Sequence, residues 1–114
     1  MSSFINIRIE IKDKQIDSWL CTAFEGGINY WCDGIEVKDD DYKGTEYASH
    51  CISKGGTIIV EDKEINKQNI LDALTWLSNN KYTKVLDRLI NGGYDADDAD
   101  VLFQVVCFGN VIYG

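Results

Sequence analysis

The stretch that decides the fold is residues 66–109, NKQNILDALTWLSNNKYTKVLDRLINGGYDADDADVLFQVVCFG. Apolar residues recur in it every three or four positions, which is the spacing of one face of an amphipathic helix. Residues 79–80 (Asn-Asn) and 92–93 (Gly-Gly) interrupt this pattern, so it predicts three helices in succession. Asn66 and Asp95 stand where the N-caps of the first and third helices are expected.

Upstream of these helices, the sequence predicts strands. Residues 5–11, INIRIEI, alternate isoleucine with polar residues, which is typical of a half-buried strand. Residues 28–38 and 57–61 are predicted as two further strands, with a bulge or sharp bend at Gly34, and residues 111–113 as a short final one. Strands grouped before helices predict an α+β fold in one domain, 1–114. About four helices cover one face of a small antiparallel sheet of about three to four strands.

One helix is predicted between the first two strands. It spans residues 16–24, with Asp13 as its cap, and residues 26–27 (Gly-Gly) are expected to end it as left-handed C-caps do. Residues 39–55 have no clear period and are predicted to form a loop with a short helical turn.

The chain is acidic, with a formal net charge of -8. Binding to nucleic acid or to an anionic membrane would need the opposite sign, so the charge favours solubility or a basic protein partner. We expect a cytoplasmic protein, because the first residues lack a basic region followed by an apolar run and no long apolar stretch follows. The four cysteines are expected to be reduced, and their spacing gives no support for a zinc site.

The segment with the densest chemistry is residues 25–31, EGGINYW. Glycines permit close backbone approach, aromatic rings offer stacking surfaces, and Glu25 and Asn29 offer directional hydrogen bonds. This combination suits a small planar ligand such as a base or nucleoside. The alternative is structural: the glycines are a cap and turn, and Tyr30 and Trp31 pack on the core. Residues 25–31 are not expected to form a phosphate-binding loop, because their glycines follow a helix, whereas the glycines of such a loop precede one.

Two acidic runs invite a metal hypothesis. The aspartates at 95, 97, 98 and 100 either bind a hard cation or complement the dipole of the third helix, and the second interpretation is favoured. Residues 39–41 begin like a calcium loop but fail its template, since Lys43 and His50 occupy ligand positions. These carboxylates could also imitate a nucleic-acid backbone. Neither a metal nor another cofactor is predicted.

Catalysis has little support in the sequence. His50 is the only histidine, and no pattern ties it to Cys21, Cys32 or Cys107 as the base of a thiol nucleophile. A non-enzymatic binding protein is therefore expected.

Residues 20–31, LCTAFEGGINYW, resemble a TALEGGxNYW segment of small proteins encoded by phages and prophages of Gram-positive bacteria. The C-terminal residues 97–114, with Gln104, Phe108-Gly109 and Tyr113-Gly114, resemble the closing pattern of the same family. The resemblance implies a phage accessory protein, and such proteins often antagonise bacterial defence.

The leading hypothesis is an anti-defence protein that sequesters a small nucleotide-type immune signal, as a homo-oligomer. The expected ligand-contacting residues are Glu25, Gly27, Asn29, Tyr30, Trp31, Gln104 and Tyr113. Tyr30 and Trp31 are expected to stack, and Asn29 and Gln104 to read polar edges. The alternative is an acidic inhibitor of a defence complex, anti-CRISPR-like or a nucleic-acid mimic. A structural phage component is a third hypothesis.

Overall fold

A three-stranded antiparallel sheet and five α-helices make up the fold, in a computed structural model that describes residues 1–114. The elements follow in the order α1 (Asp13–Thr22), β1 (Glu36–Val37), α2 (Ala48–Cys51), β2 (Ile58–Val60), β3 (Lys63–Ile65), α3 (Lys67–Asn79), α4 (Thr83–Asn91) and α5 (Ala96–Phe108). The strand order is β1-β2-β3. The predicted α+β class is confirmed.

The three C-terminal helices begin and end where the sequence predicts. The side chain of Asn66 accepts a hydrogen bond from the backbone N–H of Asn69 at 3.3 Å, and Asp95 accepts one from Asp98 at 2.9 Å. Each bond satisfies an N–H group that has no partner within its helix. Gly92 ends α4 with a left-handed φ of 86°.

The core lies around α5. Phe103 in α5 and Trp19 in α1 are almost wholly buried, and each contributes about 3 kcal/mol by burial alone. The indole N–H of Trp19 donates to the backbone oxygen of Leu89 at 3.1 Å, so burial leaves no polar atom unpaired there. The sheet turns Ile58 and Ile65, which are paired across β2 and β3, towards this core.

The predicted strand over residues 5–11 is wrong, since residues 1–12 form neither helix nor strand. Ile5, Ile7 and Ile9 are 80%, 72% and 54% exposed. The alternation is real, but no other strand of the chain lies beside it to accept its hydrogen bonds.

The strand predicted over residues 28–38 is reduced to Glu36–Val37. The chain turns first, because the N–H groups of Trp31 and Cys32 both donate to the backbone oxygen of Ile28. Gly34 consequently lies outside any strand and makes no bulge. The loop predicted over residues 39–55 is confirmed and contains α2 as its helical turn.

The strand predicted over residues 57–61 corresponds to β2, and β3 was not predicted. A two-residue turn joins them, with left-handed φ values of 51° at Glu61 and 64° at Asp62. Such turns usually contain glycine or asparagine, and residues 61–62 are Glu-Asp, so no hairpin signal is present in the sequence. The strand predicted over residues 111–113 is absent.

The first helix, α1, differs from its prediction at both ends. Its N-cap is Lys12, whose N–H donates to the side chain of Gln15 at 2.8 Å. Asp13 is the first helical residue instead and pairs with Lys67 at 2.9 Å. Gly26 and Gly27 do not adopt left-handed φ values.

Candidate functional site

A π-helical turn, Ala23–Gly27, extends α1 and forms the base of the site. The backbone N–H of Ile28 donates to the oxygen of Ala23 at 3.1 Å, five residues back. A Cβ atom added at Gly27 would lie 2.9 Å from the backbone oxygen of Ala96, so only glycine fits against the start of α5. π-Helical turns are rare and are often found at functional sites.

Beyond this turn, a hydrogen-bonded cluster forms around Asp100 of α5. We call Tyr30, Trp31, Asp100, Gln104 and Tyr113 the Asp100 cluster. The Asp100 carboxylate accepts hydrogen bonds from the Tyr30 hydroxyl at 2.6 Å, from the Trp31 indole N–H at 2.7 Å and from Gln104 Nε2 at 3.0 Å. Burial of the hydroxyl, together with its bond to Asp100, raises the pKa of Tyr30 to about 12.

Gln104, which is fully buried, links this cluster to the C-terminal segment. Its Oε1 accepts from the N–H groups of Ile112 and Tyr113, both at 2.8 Å, and its Nε2 donates to the oxygen of Tyr113 at 3.2 Å. The Trp31 ring stacks on Tyr113, with centroids 5.8 Å apart and planes 9° apart. The cluster therefore satisfies its own polar groups and attaches residues 111–113 to α5.

A cavity lies beside the π-helical turn and is lined by residues of that turn. We call it the cleft, and its volume is about 620 Å³. Its lining consists of Cys21, Phe24, Glu25, Ile28, Asn29, Cys32, Asp33, Gly34, Ile35, Tyr47, Ala48, Ser49 and His50. The π-helical turn, the turn that follows it and the start of α2 thus surround one concave surface.

The cleft combines apolar surface with acidic groups. The carboxylates of Glu25 and Asp33 belong to its lining, whereas no lysine or arginine does. Tyr47 and His50 add aromatic surface, with ring centroids 5.7 Å apart in an edge-to-face arrangement. Hydrogen-bond acceptors next to flat apolar surface suit an uncharged or cationic planar ligand better than a phosphate.

The structure separates the predicted ligand-contacting residues into two groups. Glu25 and Asn29 line the cleft, whereas Tyr30, Trp31, Gln104 and Tyr113 belong to the Asp100 cluster. Gly27 does neither, since it packs against α5. The expected contacts in residues 25–31 and those near the C-terminus are nevertheless brought together, by side-chain hydrogen bonds of the Asp100 cluster.

Sequence reasoning missed four residues that shape these sites: Asp33, Tyr47, His50 and Asp100. Asp100 and Gln104 are four residues apart and so lie on one face of α5, a spacing visible in the sequence. Nothing in the sequence places Tyr47 and His50 beside Glu25, because α2 and α1 meet only through the tertiary fold.

Two thiols line the same cleft as His50, which no sequence pattern indicated. Burial raises the pKa of both Cys21 and Cys32, with Glu25 adding to the effect at Cys21. Both thiols are therefore protonated near neutral pH, and a protonated thiol is a poor nucleophile. All four cysteines are free.

The aspartates at the start of α5 are largely engaged within the chain. Asp95 caps the helix, and Asp98 forms a bidentate ion pair with Arg88 at 2.7 and 2.8 Å. Asp100 accepts its three side-chain bonds in the Asp100 cluster. This arrangement agrees with the helix-end interpretation and leaves Asp97 as the carboxylate of the run that makes no side-chain hydrogen bond or ion pair.

Comparisons of the chain with protein-family models, curated proteins and solved structures find no match. The resemblance of residues 20–31 and 97–114 to phage-encoded proteins therefore stays a prediction. No helix combines the length and the apolar character that crossing a bilayer requires.

Proposed function

We propose that this chain is a non-enzymatic binding protein whose cleft holds the base and ribose of a small nucleoside-type ligand. The observation that carries the proposal is the composition of the cleft: about 620 Å³ of partly apolar space lined by two carboxylates and by no lysine or arginine. A cavity of this size suits a drug-sized molecule.

Three side chains have assigned roles in this proposal. The base stacks beside Tyr47, which is 60% exposed and free to lie against it. Glu25 accepts hydrogen bonds from ribose hydroxyls or a base amine, and Asn29 both donates to and accepts from the base edge. Any phosphate of the ligand points out of the cleft, since Glu25 and Asp33 would repel it.

Titration calorimetry tests the proposal with adenosine, guanosine, their cyclic monophosphates and ADP-ribose as probes. We expect nucleosides to bind more tightly than derivatives carrying more phosphate. Absence of heat with every probe at high protein concentration would contradict the proposal. Tighter binding with each added phosphate would contradict its electrostatic argument.

Two cleft variants and one control localise the binding. Glu25→Gln and Asn29→Ala each remove one hydrogen-bonding role and are expected to weaken binding about tenfold. Glu36→Gln removes the same charge from an exposed residue of β1 outside the cleft lining and should leave affinity unchanged. Equal effects of Glu25→Gln and Glu36→Gln would mean that only the net charge matters.

The biological role that we propose is sequestration of a nucleotide-type immune signal by a phage-encoded anti-defence protein. It rests on the resemblance of residues 20–31 and 97–114 to phage-encoded proteins, and the cleft supports it only by its shape and chemistry. Expression in a bacterium with a nucleotide-signalling defence system is expected to restore phage growth. Glu25→Gln should lose that effect.

The second candidate is an acidic inhibitor of a basic defence protein. Asp39 and Asp40 favour it, because both are exposed on left-handed backbone and have no ion-pair partner. Lysine substitutions at both positions should abolish such inhibition, and inhibition by the original chain should weaken with salt. Glu25→Gln should leave it intact, which distinguishes this candidate from ligand sequestration.

A further inference from the structure

The N-terminal arm, defined as residues 1–11, is a strand-like segment without a partner. None of its backbone groups takes part in a backbone hydrogen bond. Its apolar side chains are exposed, from 91% at Phe4 through 80% at Ile5 and 72% at Ile7 to 54% at Ile9. Unpaired backbone beside an exposed row of isoleucines is the usual template for pairing with another chain.

The arm is also amphipathic as an extended strand. Ile7, Ile9 and Ile11 face a groove of about 390 Å³ whose opposite wall is formed mainly by apolar side chains of α3 and α4. Alternation along a strand places Arg8 and Glu10 on the other face. One face of the arm is thus directed to its own body, while the backbone edge stays open.

We propose that the arm pairs with the arm of a second copy of this chain, in an antiparallel ribbon whose two-fold axis passes at Ile9. Ile9 then lies opposite the partner's Ile9, and Ile7 opposite the partner's Ile11. This register places Arg8 opposite the partner's Glu10 and repeats that pair by symmetry. If the two-fold axis lay at Arg8 instead of Ile9, Arg8 would lie opposite the partner's Arg8, and two like charges directly opposite each other destabilise a sheet.

Charge and geometry both favour a second copy as the occupant. The arm is self-complementary in charge, because Arg8 and Glu10 are its only charged side chains and the two-fold axis places each of them opposite the other type. In this register the ribbon spans residues 7–11 of both arms, and Phe4 and Ile5 extend past it to the start of the partner's α1. The edge strands of the chain's own sheet, β1 and β3, are too short to pair with the whole arm, since they span only two and three residues.

This inference goes beyond the proposed ligand binding and uses no residue of the cleft. Sedimentation equilibrium of the full chain is expected to give twice the chain mass of 12.9 kDa. Ile9→Asp should give a monomer, because two aspartates would face each other at the axis. Ile112→Asp is the matched control, since Ile112 is exposed to 58%, close to the 54% of Ile9, but lies at the other terminus. It should stay dimeric.

A charge exchange tests the register. Arg8→Glu and Glu10→Arg should each weaken the dimer about tenfold, and the double variant should restore it. Alternate backbone amides within residues 7–11 should be protected from hydrogen exchange in the dimer and unprotected in Ile9→Asp. The proposal is overturned by a monomeric full chain, by a dimer that survives Ile9→Asp, or by a double variant no tighter than the single ones.

Discussion

Asp100 is a buried carboxylate that is satisfied by three neutral donors and has no ion-pair partner. Asp100→Ala would leave the Trp31 N–H without an acceptor and remove the bonds from the Tyr30 O–H and Gln104, so we expect a loss of about 2 kcal/mol in the free energy of unfolding. Asp97→Asn, on the exposed side of α5, should change it by less than about 0.5 kcal/mol. Urea unfolding measures both, and equal values for the two variants would mean that the cluster contributes little.

Arg88 and Asp98 form the ion pair that fastens α4 to α5. Its hydrogen bonds hold the pKa of Asp98 below the ordinary 3.8, against the opposing effect of burial. Because the folded-state pKa is lowered, the pair stabilises the fold above about pH 4, and this contribution is lost as the pH falls through the lowered pKa.

Arg88→Ala should therefore destabilise the protein by about 2 kcal/mol at pH 7, because it leaves the buried carboxylate of Asp98 without its cation. The cost is moderate because the Arg88 side chain is half exposed, so water can reach the vacated position. The difference from the original chain should narrow below pH 4. Lys84→Ala, which removes an exposed cation from the same helix, should show no such pH dependence. Urea unfolding at pH 7 and pH 3 measures this, and a pH-independent difference would contradict it.

At the scale of elements, the contact between the π-helical turn and α5 depends on one glycine. Gly27→Ala would place a methyl group 2.9 Å from the backbone oxygen of Ala96, and we expect a cost of about 2 kcal/mol because neither backbone can move freely. Gly26→Ala meets nothing within 4 Å and should be neutral or stabilising by up to about 1 kcal/mol. Thermal unfolding of the two variants compares adjacent glycines directly, and similar melting temperatures would contradict this role.

At the scale of the whole molecule, truncation of the N-terminus should lower the free energy of unfolding much less than truncation of the C-terminus. Removing residues 2–10 deletes mostly exposed chain without backbone hydrogen bonds and uncovers only the groove wall opposite Ile7 and Ile9, so the unfolding free energy of the monomer should fall by no more than about 1 kcal/mol. Removing residues 111–114 leaves the buried Oε1 of Gln104 without its donors and uncovers Trp31, which should cost about 3 kcal/mol. Urea unfolding at a protein concentration that keeps the chain monomeric checks both, and a larger loss from the N-terminal truncation would contradict the contrast.

The alternating isoleucines of residues 5–11 show where sequence reasoning about the fold reaches its limit. Period-two alternation correctly describes an amphipathic extended segment, but a strand also needs a neighbour, and the chain supplies none there. The opposite failure occurs at β3, whose three residues follow a turn with two left-handed residues and no glycine. Both errors concern pairing, which depends on residues distant in sequence.

The candidate site was predictable in part. Glu25 and Asn29 line the cleft as a ligand site requires, and the link between residues 25–31 and the C-terminus was anticipated without its geometry. Tyr30 and Trp31 could not be assigned from sequence, because exposed stacking and packing against α5 require the same residue types. The spacing of Asp100 and Gln104 on one helix face can be read from the sequence. Their role in a hydrogen-bonded cluster is evident only from the contacts with Tyr30 and Trp31.

The sequence by itself determined the three C-terminal helices, the caps at Asn66 and Asp95, the glycine ends of α4 and α5, the α+β class and the acidity. These follow from bonds and periodicities within a few residues, which any local segment carries with it. Only the tertiary structure decided that Asp98 and Asp100 are buried and hydrogen-bonded, that the cleft lies between the π-helical turn and α2, and that the arm has no partner within the chain. Each of these depends on side chains far apart in sequence, whose burial and hydrogen bonding exist only once the core has formed.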